Sequence, residues 1–176
     1  MDVYAWGDGS YAPFFKRLAL VATILVLLMS IDYVGVVQSY HDRNYGAGEF
    51  FLLPLFTCAG LMWMSSAKDL ITIFVSLELV TISFYVLVAF MRRNVGSLES
   101  GVKYLILGAL STGFLVYGIT WLFGLTGHTN LDEIEAAIAT GTVHKGALLF
   151  AFGLILVALS FKVGVVPFQI WIPDVY

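Results

Sequence analysis

Charged residues are scarce in this sequence. Only 12% of the 176 residues are charged and 60% are hydrophobic, whereas a soluble domain usually carries roughly 25% charged residues. The few ionic residues collect in short breaks, such as 41–43, 68–69 and 92–93, between long apolar runs. The composition therefore excludes an ordinary water-soluble protein and indicates a chain that crosses a membrane.

Basic clusters and cysteines are also lacking. The net charge is −3 with no run of Lys and Arg, which excludes a nucleic acid as partner because phosphate charge needs clustered cations. The single cysteine, Cys58, is expected to be a small packed residue, since it has no partner for a disulfide or a multi-cysteine metal site. His41, His128 and His144 show no metal-ligand spacing and are expected to be solvated.

Long apolar runs are what the sequence does contain. Their continuity predicts helices, because the strands of a membrane barrel would alternate polar and apolar residues. We predict an all-α polytopic membrane protein of about five transmembrane helices, forming one bundle over 14–176 after a polar and aromatic segment at 1–13. The predicted spans are about 14–37, 50–67, 70–91, 102–125 and 146–172, the last broken near Lys162–Pro167. The acidic 132–135 segment is expected to form a short interfacial helix.

Glu78 lies near the centre of the third predicted span. An ionised group at that depth costs about 2.5–3.5 kcal/mol on insertion scales, so it must be protonated, face a partner or line a hydrated cavity. Such residues are taken by default to mark a substrate, ion or proton pathway. The alternative is a structural role, as one half of an ion pair or as a neutral carboxyl bonded to Ser76 or Thr81.

Lys162 interrupts the fifth apolar run and is followed by Gly164 and Pro167. Because proline cannot donate to the carbonyl four residues earlier, a backbone acceptor is left beside the lysine. Irregular backbone at membrane depth is tolerated only in a protein interior or along a cavity, which points to an ion path. The alternative is that the Lys162 side chain reaches from a helix end to the membrane interface. The same two interpretations, a role in an ion path or a side chain that reaches the interface, stay open for Lys103 at the start of the fourth span.

Three segments of the chain carry a family resemblance. They are DLITIFVSLELVTISFYVLVA at Asp69–Ala89, SLESGVKYLILGALSTGFLVYG at Ser97–Gly118 and FKVGVVPFQIWIPDVY at Phe161–Tyr176. These segments resemble the antiporter-like membrane subunits of respiratory complex I (NADH:quinone oxidoreductase), most closely the N subunits, called subunit 2 in mitochondria. The resemblance covers nearly the whole chain and implies a fragment corresponding to about the third to seventh helices of such a subunit.

The resemblance implies proton translocation along a central hydrophilic axis, coupled to quinone reduction elsewhere in the complex. Glu78 would be the mid-membrane glutamate, Lys162 the lysine of the broken helix, and Lys103 the lysine of the helix between them. The chain itself would carry no redox chemistry and no cofactor. NADH, FMN, iron–sulfur clusters and quinone are expected in or at partner subunits.

The expected partners are the lipid bilayer and other membrane subunits, including neighbouring antiporter-like ones. The implied location is a prokaryotic inner membrane, with an organellar inner membrane as the alternative. Two further functions stay open at the level of the sequence. One is a subunit of a related cation/proton antiporter or membrane-bound hydrogenase, and the other is a membrane scaffold that transports nothing.

Overall fold

The computed structural model describes residues 11–39, 47–141 and 143–175. The regular secondary structure of these ranges is helical, apart from one isolated antiparallel bridge between Asp69 and Asn130. The helices are α1 (Tyr11–Ser39), α2 (Ala47–Met64), α3 (Leu70–Val88), α4 (Val95–Thr126), α5 (Leu131–Ala139), α6 (Lys145–Val163) and α7 (Ile172–Val175), with a 3₁₀ turn at Phe168–Trp171. The predicted polar segment before residue 11 and His41 lie outside the described residues.

Four stretches are long and apolar enough to cross a membrane. They are Tyr11–Ser39, Leu70–Val88, Val95–Thr126 and Lys145–Trp171. A shorter apolar helix, Gly48–Met64, occupies the place of the second predicted span. The all-α polytopic membrane fold predicted from the sequence is therefore confirmed, with its last span interrupted after Val163. The acidic segment is helical as well, as α5.

Helix α4 begins at Val95, several residues before the predicted start of the fourth span. Asn94 caps it, because the side-chain Oδ1 accepts hydrogen bonds from the backbone N–H of Gly96 at 3.0 Å and of Ser97 at 3.4 Å. The Ser97 hydroxyl donates to the carbonyl of Val88, at the end of α3, over 2.5 Å. Polar capping thus extends the helix beyond the apolar run that hydropathy detects.

The chain divides into two compact units, and the divisions fall between α2 and α3, inside α3 and inside α4. The first unit comprises Met1–Ala67 and Val75–Gly101, and the second comprises Lys68–Phe74 and Val102–Tyr176. In the first unit α1 packs on α2, and the ring of Phe50 lies 6.4 Å from that of Tyr33 and 5.4 Å from that of Phe90, between ring centroids. Aromatic contacts therefore join α1 and α2 to the end of α3.

The second unit is built on the packing of α4 against α6. Its core contains Leu70, Leu122, Ile134 and Ala151, so the apolar face of α5 is buried there as well. The Ser111 hydroxyl donates to the carbonyl of Ala158 at 3.0 Å. Small and polar residues thus let the two helix backbones approach closely, as is common in membrane bundles.

Asp69 joins the start of α3 to the segment between α4 and α5. Its Oδ1 accepts from the backbone N–H of Ile71 at 2.8 Å, and its Oδ2 accepts from the Thr129 hydroxyl at 2.6 Å. Two backbone bonds flank this contact, from the Leu70 N–H to the carbonyl of Thr129 and from the Leu131 N–H to the carbonyl of Lys68. The Thr129 hydroxyl, followed by the backbone donors, holds the pKa of the Asp69 carboxyl below its ordinary value of 3.8.

We expect Thr129→Val to lower the melting temperature of the detergent-purified protein at neutral pH. The folded state stabilises the ionised Asp69 carboxylate, so this contribution is complete above pH 3.8 and is lost as the pH falls through the lower pKa of the folded protein. The difference between variant and wild type should therefore shrink below pH 3.8. Thr120→Val is the control, because the Thr120 hydroxyl donates only to the Val116 carbonyl of its own helix. An equal loss at every pH would contradict the role given to the carboxylate.

Candidate functional site

Glu78 lies one residue before the midpoint of the 19-residue helix α3, as the sequence predicted. Its side chain is half-buried. The Thr81 hydroxyl lies 3.5 Å from Glu78 Oε1, but its short hydrogen bond, at 2.6 Å, goes to the carbonyl of Leu77. Thr81 therefore satisfies the backbone of its own helix first and is a weak donor to the carboxyl group.

The helix around Glu78 is closely packed within the first unit. Ser76 is fully buried, and the missing side chain of Gly60 on α2 makes room for it. A Cβ atom at position 60 would lie 2.8 Å from Val80 Cγ2 and 3.0 Å from the Ser76 carbonyl oxygen. Ser76 and Val80 flank Glu78 in sequence, so the backbone of α2 lies against the turn of α3 that carries the carboxylate.

Lys162 lies in the last turn of α6, and the helix ends directly after it. Gly164 adopts a left-handed conformation with φ 70° and ψ 36°. The Gly164 N–H donates to the carbonyl of Phe161 and the Val165 N–H to the carbonyl of Ser160, both at 3.0 Å. This pair of bonds is the Schellman motif, which satisfies carbonyls that the interrupted helix leaves without partners.

The segment after this helix end folds back onto α6. Pro167 follows a cis peptide bond, and the 3₁₀ turn that comes next brings Trp171 back to the end of the helix. The Trp171 indole Nε1–H donates to the Phe161 carbonyl at 3.0 Å, and the two rings stack with centroids 5.5 Å apart. The predicted break in the helix is thus observed, and Trp171 packs against the helix end at this break.

Lys103 lies in the third turn of α4 and has an exposed side chain. Because α4 begins at Val95, this lysine lies about 12 Å along the helix at 1.5 Å per residue. The next residue, Tyr104, is buried and stacks on Trp171 with centroids 4.9 Å apart and an interplanar angle of 6°. Trp171 therefore contacts both Tyr104, which follows Lys103, and Phe161, which precedes Lys162.

The structure thus brings the backbone segments of two predicted site residues, Lys103 and Lys162, together in the second unit. Glu78 belongs to the first unit. Sequence reasoning did not single out Tyr104 and Trp171, whose rings link these two segments. A signal for Trp171 was present, because a tryptophan just after a break in an apolar helix needs a partner for its indole N–H.

His128 and His144 make local contacts. His128 Nδ1 lies 3.0 Å from Glu133 Oε2 with both side chains exposed, and His144 Nδ1 caps α6 by accepting from the Ala147 N–H at 3.2 Å. Cys58 is buried, as predicted. The part of the chain that the structure describes contains no group of three or more His, Cys, Asp or Glu able to hold a metal ion.

Comparison with protein families gives one match over most of the chain. Residues 67–176 match the family described as NADH:quinone oxidoreductase/Mrp antiporter, transmembrane. The NADH-quinone oxidoreductase subunit N of Herminiimonas arsenicoxydans is 44% identical over 161 residues, which are 92% of this chain and 32% of that protein. Subunit N 2 of Rhizobium meliloti is 42% identical over 166 residues, or 94% of this chain and 33% of the relative. The chain spans about a third of the length of these relatives.

Two solved structures have similar folds. A chain of respiratory complex I from Thermus thermophilus, determined with bound aureothin, matches with a TM-score of 0.64 and 26% identity, covering 98% of this chain and 44% of that chain. A chain of the membrane-bound sulfane sulfur reductase, an archaeal respiratory membrane complex, matches with a TM-score of 0.67 over 90% of this chain and 32% of that chain. At 21% identity, the second match shows a shared fold alone.

Proposed function

Because the chain belongs to the NADH:quinone oxidoreductase/Mrp antiporter membrane family, we propose that it is part of a proton-translocating subunit of NADH:quinone oxidoreductase. The observation that carries this proposal is a lysine, Lys162, at a helix end inside an apolar membrane-crossing stretch. A charged lysine in such a place is costly, and residues of this kind mark ion or proton pathways by default. NADH, FMN, iron–sulfur clusters and quinone belong, in this proposal, to partner subunits of the complex.

In the proposed mechanism the proton is carried by the side-chain nitrogen of Lys162. The Lys162 ammonium gives up its proton when a change in hydration or in a neighbouring charge disfavours the charged form. A neutral amine at Lys103 accepts that proton, directly or through water, so charge moves and only N–H and O–H bonds are broken and re-formed. Glu78 modulates the step through its negative charge. Electron transfer elsewhere in the complex supplies the energy.

The partners and location follow from the same proposal. Neighbouring antiporter-like subunits would continue the proton path beyond this chain, and the complex would lie in a prokaryotic inner membrane. Support comes from the bacterial relatives and from the similarity to a chain of a respiratory complex. To test this assignment, the full-length subunit is isolated from native membranes and the subunits that copurify with it are identified.

We expect Lys162→Ala, placed in the full-length subunit of the assembled complex, to lower NADH-driven proton uptake into inverted vesicles roughly a hundredfold. Lys145→Ala is the matched control, because Lys145 is an exposed lysine at the opposite end of the same helix. Complex content is measured on native gels so that rates refer to assembled complex. Normal proton uptake in the Lys162→Ala complex would disprove the proposal.

Glu78→Gln is expected to slow proton uptake less than the loss of Lys162, because the carboxylate modulates the transfer and does not carry the proton. The expected decrease is roughly tenfold, as for the loss of one pKa unit of charge stabilisation. Glu135→Gln on the exposed side of α5 is the control. If the two variants pump equally well, Glu78 has a structural role only.

A related cation/proton antiporter is the second candidate, because the matching family includes the Mrp antiporters. The two functions differ in their driving force and in their partners. A redox-driven subunit pumps protons only while NADH is oxidised, whereas an antiporter exchanges protons for sodium across a vesicle without any electron donor. Sodium-dependent proton movement in the absence of NADH would therefore favour the antiporter.

A further inference from the structure

We propose that Trp171 is a positioning residue for proton transfer, holding the peptide of Lys162 against the helix that carries Lys103. The proposal rests on the proposed function, because it assigns a means of positioning to the same two lysines. It concerns the second unit alone, in which Trp171 contacts residues next to both lysines. Neither the family match nor the sequence pattern assigns a role to this tryptophan.

A hydrogen bond joins Trp171 to the end of α6. The carbonyl of Phe161, the residue before Lys162, accepts two donors at 3.0 Å, the Gly164 N–H and the Trp171 indole N–H. The Gly164 bond closes the turn locally. The Trp171 bond joins this turn to the returning segment, ten residues later. Its loss would remove a directional contact between the end of α6 and that segment.

Trp171 also belongs to a stack of three aromatic rings. Trp171 is 6% exposed and lies between the rings of Tyr104 and Phe161. Aromatic pairs in such contact contribute beyond their buried area. Since Tyr104 follows Lys103 and Phe161 precedes Lys162, the stack fixes the spacing between the two backbone segments that carry the lysines.

The space beside the stack is lined by apolar groups. An open pocket of about 310 Å³ lies against α4, α6 and the returning segment. Among its described lining residues, the polar groups are the Ser111 hydroxyl and the Trp171 indole, and both already donate to carbonyls of α6. A water molecule needs about two to four polar partners to be held in place. Water is therefore a poor replacement for the indole donor at Phe161.

Small displacements of a donor and an acceptor slow proton transfer strongly, because the reacting atoms must lie within hydrogen-bond reach. Trp171→Phe keeps an aromatic ring in the stack and removes the N–H donor. We expect this variant, in the full-length subunit of the assembled complex, to lower the rate of NADH-driven proton uptake roughly three- to tenfold. The ratio of rates in H₂O and D₂O should rise, since proton transfer then limits the turnover.

Trp121→Phe is the matched control. Trp121 lies on α4 in the same unit and contacts Tyr117 and the α6 residue Phe150, with ring centroids 6.2 and 5.4 Å away. It thus joins the same two helices away from the lysines, so its replacement should leave the solvent isotope ratio unchanged. Tyr104→Leu, which removes the other side of the stack, should act like Trp171→Phe and serves if that variant fails to assemble.

The outcomes separate the two proposals. Normal proton uptake in Lys162→Ala vesicles would overturn the proposed function and this inference with it. A loss with Lys162→Ala, but a rate and isotope ratio for both Trp171→Phe and Tyr104→Leu equal to those of the Trp121→Phe control, would overturn the inference alone. A decrease that follows only the amount of assembled complex, with an unchanged isotope ratio, would show a structural role for Trp171 and would also overturn the inference.

Discussion

Lys162→Arg is expected to stop proton pumping as completely as Lys162→Ala, although it keeps the positive charge. The guanidinium group is not deprotonated in proteins, so it cannot release a proton within a turnover. The expected decrease in NADH-driven proton uptake by vesicles is roughly a hundredfold per assembled complex. This substitution therefore asks whether Lys162 exchanges a proton or only supplies a charge.

A structural lysine gives the opposite result. If Lys162 at the end of α6 only directs its ammonium to the membrane interface, arginine would do the same, because both side chains have long apolar stems. Pumping would then survive in Lys162→Arg and fail only on loss of the charge. Lys145→Arg at the exposed start of α6 controls for the bulk of the guanidinium group. Full activity of Lys162→Arg would reject proton exchange at this position.

Gly164→Ala is expected to destabilise the protein by about 2–5 kcal/mol, adding the cost of a left-handed residue to that of overpacking. Gly164 has φ 70°, a conformation that side chains disfavour. A Cβ atom there would also lie 2.3 Å from Cδ1 of Ile172, which belongs to the returning segment. Thermal unfolding of the detergent-purified protein, followed by circular dichroism, measures the loss.

Alanine substitutions at two other glycines separate the cost of the left-handed backbone from the cost of overpacking. Gly127 has φ 76° and no atom within 4 Å of its hypothetical Cβ, so Gly127→Ala carries the backbone cost alone. Gly153, inside α6, has a helical conformation and equally open space, so Gly153→Ala should be neutral or stabilising by up to about 1 kcal/mol. We expect the stability of the three variants to fall in the order Gly153, Gly127, Gly164. Equal stability of the Gly127 and Gly164 variants would show that Ile172 moves aside at no cost.

The sequence alone determined the class of fold and the places of Glu78 and Lys162 along their helices. Continuous apolar runs predict helices, because a backbone in lipid must satisfy its hydrogen bonds within the segment. The positions of Glu78 in α3 and of Lys162 before a helix end followed from counting residues along those runs. The roles of Glu78, Lys103 and Lys162 in proton translocation remain predictions.

Some features depend on capping chemistry or on contacts between distant residues. The early start of α4 comes from Asn94, a polar cap that a hydropathy average does not detect. The close approach of α4 and α6 at Ser111 depends on a contact with Ala158, 47 residues later. Gly113, two residues further along α4, faces open space, because only one face of a helix meets a given neighbour.

The break after Lys162 shows where sequence reasoning stops. Gly164 and Pro167 suffice to predict that the helix ends, since one favours positive φ and the other removes a backbone donor. They do not determine where the chain goes next. Only the tertiary structure shows that it returns to place Trp171 between Phe161 and Tyr104, because this path depends on a hydrogen bond and ring contacts between residues far apart in sequence.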